Sequence, residues 1–277
     1  MSLFLFMLAL ALAFAVVEMA ITFALAQRLK NYGIVDIVWS AGFAGIALVY
    51  LIFVARLAGD SGIPLRAGVI CALVIPWSLR LAGHLYVRVK SHHPVEDVRY
   101  AELRREWGDR TGPRMFGFFQ LQGALQVVLS LPFLLVCLNG RPSTVPLGLG
   151  ALEWAGLLLW GIALGGESLS DRQLARFRGD PANKGKVCQV GLWHWSRHPN
   201  YFFEWLIWVA FALFALGSPF GWLGLLSPLL MWHFLVNVTG IPMTEALSVK
   251  SKGEAYREYQ RTTSAFVPWF KKSVPVA

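Results

Sequence analysis

Between Gly191 and Trp208 the chain runs GLWHWSRHPNYFFEWLIW, and its polar residues are of the kinds that hold a ligand. His194, Arg197 and His198 can donate to anionic oxygens, Asn200 offers an amide donor and an acceptor, and Glu204 accepts. Asn200 and Glu204 are four residues apart, so on a helix they share one face. Both enter an apolar run, where a carboxylate is costly and by default marks a site. Membrane anchoring accounts for Trp195, Tyr201 and Arg197, because aromatic rings and cations suit the headgroup zone. It does not account for Asn200 and Glu204. The cluster points to a polar ligand bound at the cytoplasmic membrane surface.

The elements that must position it are membrane helices. The 277 residues are 56% hydrophobic and 15% charged, with 12 Trp and a mean hydropathy of +0.53. A hydrocarbon core of about 30 Å needs about 20 helical residues to span it. Seven segments qualify or nearly so: Leu3–Ala26, Ile34–Ala55, Leu65–Val87, Phe116–Leu138, Leu147–Leu169, Phe202–Leu216 and Phe220–Val238. The last two share a Gly217–Ser218–Pro219 turn and form a tight hairpin. Their periodicity is helical or wholly apolar, without the alternation of a membrane barrel. The expectation is an all-α integral membrane protein, one multi-spanning domain over residues 1–277. Ala24–Leu25–Ala26 resembles a signal cleavage site, but the first segment has no basic start and carries Glu18, so it is read as a retained span.

Of the 25 Lys and Arg residues, Arg56, Arg66 and Arg141 fall on one side of these spans and Arg80 within one. The other 21 fall on the opposite side. The positive-inside rule then places the amino terminus outside and the carboxyl terminus in the cytoplasm. The net charge of +9 is the imprint of loops beside anionic lipid and calls for no nucleic acid. Cys71, Cys137 and Cys188 are scattered and give neither a disulfide framework nor a metal spacing.

Further polar groups stand where a bilayer should exclude them. Asp36 and Trp39 share a face of the second span, and Arg80 and His84 share a face of the third. An Asp36–Arg80 ion pair would fix helix packing; a polar pocket of the same residues with His84 would polarise a substrate carbonyl. Both can hold together. At the end of the fifth span Glu167, Asp171, Leu174 and Arg178 recur at helical spacing and carry a polar stripe out of the membrane. The loop RFRGDPANKGKVCQVG then sets Arg176, Arg178, Lys184 and Lys186 among Gly and Pro turns, an arrangement that suits phosphate. No glycine-rich fingerprint follows a strand, so a nucleotide would be bound by another route. Glu96, Asp97, Arg99 and Tyr100 precede a short amphipathic helix expected on the membrane surface. His92 and His93 do not share a helical face and lack a completing carboxylate, so no metal site is expected. Ser130, Ser218, Ser227 and Cys188 lack the context of a nucleophile.

GLWHWSRHPNYFFEWLIW, preceded by SLSDRQLARFR and followed by GIPMTEALSVKSKGEAYREYQRTTSAFVPWF, resembles the bacterial branch of the steroid 5-alpha reductase family. The resemblance covers Leu147 to Lys271; in the first half only VDIVW and LRLAGH echo it. It implies helices 141–277 that grip NADPH from the cytoplasm and helices 1–140 on the substrate side. The implied reaction is reduction of the 4,5 double bond of a 3-oxo-4-ene steroid or a related lipophilic enone. By the same resemblance Asp171, Arg178, Lys186, Asn200 and Glu204 contact the cofactor, with Glu167 where the family has Asn. Trp195, Ser196, Arg197, His198 and Tyr201 belong to the shared turn, and the phosphates are expected near Arg178, Lys186 and Arg197. Asp36 looks like the family's catalytic acid. The family's third-span Tyr has no counterpart before Tyr86, so His84 or Arg80 takes the place of that donor.

The RHPNY element is also shared with membrane methyltransferases for isoprenylcysteine and phospholipid and with sterol C14 and C7 reductases. An S-adenosylmethionine-dependent methyltransferase is therefore the alternative. The methyl donor has no phosphate, and the stripe Asp171–Arg178–Lys186 favours the dinucleotide. A non-catalytic lipid-binding or transport protein would not call for the basic loop. The expected enzyme is a monomer of the bacterial inner membrane, its cofactor site facing the cytoplasm and its partners a lipophilic substrate and membrane lipid.

Overall fold

The computed structural model describes residues 2–92, 94–140 and 148–272. Apart from one bridge between Ser196 and Ser264, regular structure among the described residues is helical. The elements are α1 (Leu3–Leu29), α2 (Ile34–Ala58), α3 (Leu65–His92), α4 (Val98–Trp107), α5 (Thr111–Leu129) and α6 (Leu131–Cys137). Then follow α7 (Ala151–Gly179), α8 (Pro199–Leu216), α9 (Leu226–His233), α10 (Ile241–Lys252) and α11 (Glu254–Thr262). Among the described residues five runs are long and apolar enough to cross a membrane: Leu3–Leu29, Ile34–Ser61, Leu65–Ser91, Pro199–Leu216 and Gly221–Lys252. Val98–Leu129 with Leu131–Cys137 is a sixth if a 43° bend is counted within one span. The chain is an all-α membrane protein.

Three of the seven expected spans differ in detail. The fourth bends because Pro132, in the first turn of α6, has no N–H with which to continue the ladder of α5. The fifth is helical as α7 but is not among the runs apolar enough to cross, since it carries Glu153 and Glu167, both buried. The seventh does not stop at Val238: a π-helical turn over Phe234–Val238 leads on towards α10. Leu147, Arg141 and His93 lie outside the described residues.

The chain divides into two compact units, Met1–Gly150 with Ala215–Gly224, and Ala151–Phe214 with Leu225–Ala277. In unit 1, α2 and α3 are joined side by side through Ser78, whose hydroxyl donates to Ser40 O at 2.6 Å and accepts from the Ala44 N–H at 3.0 Å. The α1–α2 turn closes on Lys30 in the left-handed region and on an Asn31 side chain that accepts from the Gly33 N–H. Glu96 clamps this turn from outside, accepting from the Tyr32 N–H at 2.7 Å while Arg104 pairs with Glu96 and lies over the Tyr32 ring. Met19, Tyr32, Val35, Tyr100, Met115 and Phe119 form the core beneath it. The 217–219 turn is tight, as expected: the Ser218 N–H donates to Ala215 O at 2.8 Å, and the Asn139 amide donates to Ser218 Oγ.

In unit 2, α7 and α8 pack closely because α7 offers glycines at the contact. A Cβ on Gly156 would stand 2.8 Å from Ala210 O, and one on Gly166 would stand 2.4 Å from the Phe203 ring. The pairs 156 with 210 and 166 with 203 give an antiparallel register. Continued along α7, that register brings Glu167–Asp171 level with the first turn of α8.

Candidate functional site

The RHPNY turn is built into unit 2 by hydrogen bonds to every side. Gly191 has φ +56°, and a Cβ there would collide with Gln173, whose Oε1 accepts from the Leu192 N–H at 2.9 Å. The turn can therefore close only on glycine. The Trp193 indole donates to Ser170 O of α7. Ser196 pairs with the segment after α11: its hydroxyl donates to Phe266 O at 2.8 Å, and the Arg197 N–H donates to Ser264 O. Tyr259 of α11 donates to the carbonyls of Trp193 and Ser196.

Arg197 itself is buried. Its Nε donates to Glu245 of α10 at 2.6 Å, and its Nη1 donates to the carbonyls of Gln260 and Thr263. The expectation that Arg197 meets a phosphate is at odds with this, because Glu245 already neutralises it. His198 bonds Glu245 at 3.2 Å and stacks on Tyr201, whose hydroxyl meets Thr244. Burial holds the His198 imidazole below its usual pKa, with Arg197 adding to the effect and Glu245 opposing it. His198 is thus kept neutral near pH 7. The turn's most distinctive residues hold α10, α11 and residues 263–266 in place. Trp195 remains 39% exposed, its ring edge-on to Phe270.

The other expected contacts behave differently. Asn200 stands in the first turn of α8, and its Oδ1 is buried with no hydrogen-bond donor reaching it. Glu204, one turn on, is buried and accepts from the Trp208 indole at 2.9 Å. Glu167 is buried and Asp171 half-buried on the facing end of α7. Arg178 and Lys186 are exposed. Arg178 lies close enough to Lys252, at the end of α10, for the two cations to repel, and both act on Cys188. Burial pushes the Cys188 thiol up, against those two charges. Neither cation has a carboxylate partner among the described residues; Lys252 lies over the Tyr256 ring instead. Lys252 went unrecognised in the sequence, where nothing but a basic tail marks it.

In unit 1 the acid expected to act, Asp36, stands in the first turn of α2. It accepts from Arg99 at 2.5 Å, from the Tyr100 hydroxyl at 2.7 Å and from Arg88 at 3.3 Å. The pairing with Arg80 does not form. Ser78 marks the face of α3 that meets α2, and two residues further on the helix has turned by about 200°. Arg80 is half-buried and His84 exposed on other faces of α3. Asp97 caps α4 and binds Arg99 twice over, so that despite burial, which raises it, its carboxyl stays below the usual range. The sequence set Arg99 and Tyr100 ahead of a helix, whereas they lie in the first turn of α4, and nothing local marked them as partners of a residue 63 or 64 positions away.

A family model described as a protein of unknown function (DUF1295) matches residues 22–263, and the chain belongs to that family. It is 28% identical over 269 residues to an uncharacterized protein of Schizosaccharomyces pombe, an alignment covering 86% of this chain and 73% of that protein. No solved structure matches.

Proposed function

We propose that this member of the DUF1295 family is an NADPH-dependent reductase of a lipophilic enone, a 3-oxo-4-ene steroid or a compound like it. In this reading it is a steroid 5-alpha reductase-like enzyme of a bacterial inner membrane, with the cofactor site facing the cytoplasm. One observation carries it. Among the described residues unit 2 presents two cations without a carboxylate counter-ion, Arg178 and Lys252, and a buried amide oxygen, Asn200 Oδ1, without a donor. A dinucleotide supplies both lacks: phosphate oxygens for the cations and amide or hydroxyl donors for Asn200. The resemblance of the segment around RHPNY to NADPH-binding reductases supports the same ligand.

Arg178, Lys252 and Lys186 would hold the phosphates. Asp171, Asn200 and Glu204 would hydrogen-bond the polar groups, with Glu167 beside them. Arg197 and His198 position the turn rather than touch the phosphates. When bound, NADPH supplies a hydride for the β-carbon of the enone. What remains for the chain is to stabilise the negative charge that develops on the enone oxygen, a task for oriented donors in a dry pocket. Tyr100, its hydroxyl oriented by Asp36, is assigned to it, and Arg80 and His84, which stand on other faces of α3, are not. The tyrosine that the third span lacks would be supplied by α4, where the Tyr100 hydroxyl donates to Asp36. A proton from solvent or a side chain completes the saturated product.

The test is incubation of the purified protein with NADPH and androstenedione, with products analysed by mass. The expected product is heavier by two hydrogens, with matching NADPH oxidation. No oxidation across a panel of lipophilic enones, together with methyl transfer from S-adenosylmethionine to any lipid acceptor, would overturn the reading.

A further inference from the structure

Glu18 has no part in either site, yet it is an acid near the middle of a 27-residue apolar helix. Two side chains of α1, Phe14 and Glu18, are four residues apart and reach onto α2 where α2 has glycine. A Cβ on Gly45 would stand 2.3 Å from the Phe14 ring. One on Gly42 would stand 2.4 Å from Glu18 Oε2 and 2.1 Å from Gln126 Nε2. Glu18 and Gln126 of α5 therefore meet over bare backbone, in the space a side chain at position 42 would occupy.

The orientation of Gln126 follows from its one strong bond. Its Nε2 donates to Trp39 O at 2.7 Å, which directs its own carbonyl oxygen elsewhere. The Trp39 indole in turn donates to the backbone carbonyl of Gln122 at 3.0 Å. Gln122 and Gln126, one turn apart, thus share the side of α5 that meets Trp39. Three buried atoms of this group have no hydrogen-bond partner: Glu18 Oε2, Gln126 Oε1 and Gln122 Nε2. Two accept and one donates. Unpaired polar atoms are costly in hydrocarbon, where no solvent can satisfy them.

We propose that Glu18, Gln126 and Gln122 form a binding site for the hydroxyl group of a membrane-dissolved alcohol. The hydroxyl proton is donated to the oxygen of Glu18 or Gln126, and the hydroxyl oxygen accepts from Gln122 Nε2. A hydroxyl carries donor and acceptor on one atom and so answers both needs at once. A ketone answers only Gln122, and an alkane neither. Access is from the lipid side. Only 22% of the α1 window is buried, and Val17 and Ile21, on either side of Glu18, are each 57% exposed. The carbon body of the ligand would lie against that apolar flank, which makes the ligand lipophilic.

The test uses menthol, menthone and menthane, of similar size and shape and none of them an enone, so the outcome is independent of the reductase reading. Binding of tritiated menthol to the detergent-solubilised protein is measured by equilibrium dialysis, with the other two as competitors. Menthol is expected to bind about tenfold more tightly than menthone, and menthane more weakly still, as one hydrogen bond gained or lost requires. Gln126→Leu and Gln122→Leu should each abolish most of the preference. Gly42→Ala should do so too, by displacing Glu18 and Gln126 without removing either. Gln122→Leu keeps the backbone carbonyl that holds Trp39, so it serves as the folding-neutral variant if Gln126→Leu lowers the melting temperature. Equal competition by menthane, as a resident water on these atoms would produce, overturns the proposal. So does a preference for menthol that survives in Gln122→Leu and Gly42→Ala.

Discussion

Arg197 and Arg178 belong to the same unit and stand in opposite relations to it. Arg197 is buried, paired with Glu245 and bonded to the carbonyls of Gln260 in α11 and Thr263 just after it. Arg178 is exposed, beside another cation, with no carboxylate partner among the described residues. The first arginine belongs to the motif that draws attention in the sequence, and its charge is spent on structure. The second stands in the last turn of α7, and no carboxylate among the described residues neutralises it. The same contrast separates Asp36, which three donors hold, from Asn200, whose oxygen none reaches. A group already satisfied by the protein fixes geometry; a group left unsatisfied is where a ligand is to be sought.

Substitutions can break this contrast at either end. Arg197→Ala should have the largest effect, because it leaves Glu245 part-buried without its cation and two carbonyls without a donor. Removing one partner of a buried pair costs about 3–5 kcal/mol, so thermal melting in detergent should show a large drop or no folded material. Tyr259→Phe removes the hydroxyl that serves the Trp193 and Ser196 carbonyls and should cost about 1–3 kcal/mol by the same measurement. His198 gives a smaller, pH-dependent effect. Its pKa is lowered from 6.5, so the unfolded chain takes up the proton first. Its contribution is whole above that pH and is lost as the pH falls through it towards the lower folded value. Melting curves taken at falling pH should steepen their decline below about 6.5 in the wild type and less in His198→Gln. At the small end, Arg178→Ala should leave the melting temperature within the range of about 0.5 kcal/mol typical of surface changes, or raise it by relieving repulsion of Lys252.

Much of the fold was legible because it rests on continuous local signals. The first three spans begin at Leu3, Ile34 and Leu65, where unbroken apolar runs begin, and the helices begin there too. The bend before Pro132 and the π-helical turn at Phe234–Val238 were not, since each depends on how a helix end is packed rather than on periodicity. The candidate site divides in the same way. Asn200, Glu204 and Asp171 could be found from spacing on one helix or along one stripe. Lys252 beside Arg178 and Tyr100 on Asp36 could not, because tertiary folding joins positions that share no local pattern. The Asp36–Arg80 expectation failed because Asp36 is held by Arg88, Arg99 and Tyr100 instead, two of them from a helix that no local pattern ties to it.

The central claim is that Arg178 and Lys252, which have no carboxylate partner among the described residues, hold the phosphates of NADPH. Titration calorimetry of the detergent-solubilised protein with NADPH tests it most directly. Loss of a charge-assisted contact of about 1.5–3 kcal/mol should weaken binding roughly ten- to a hundredfold in Arg178→Ala and again in Lys252→Ala. Asn200→Ala should weaken it too, while all three variants melt like the wild type. Unchanged NADPH affinity in all three variants, or no binding by the folded wild type, would contradict the account.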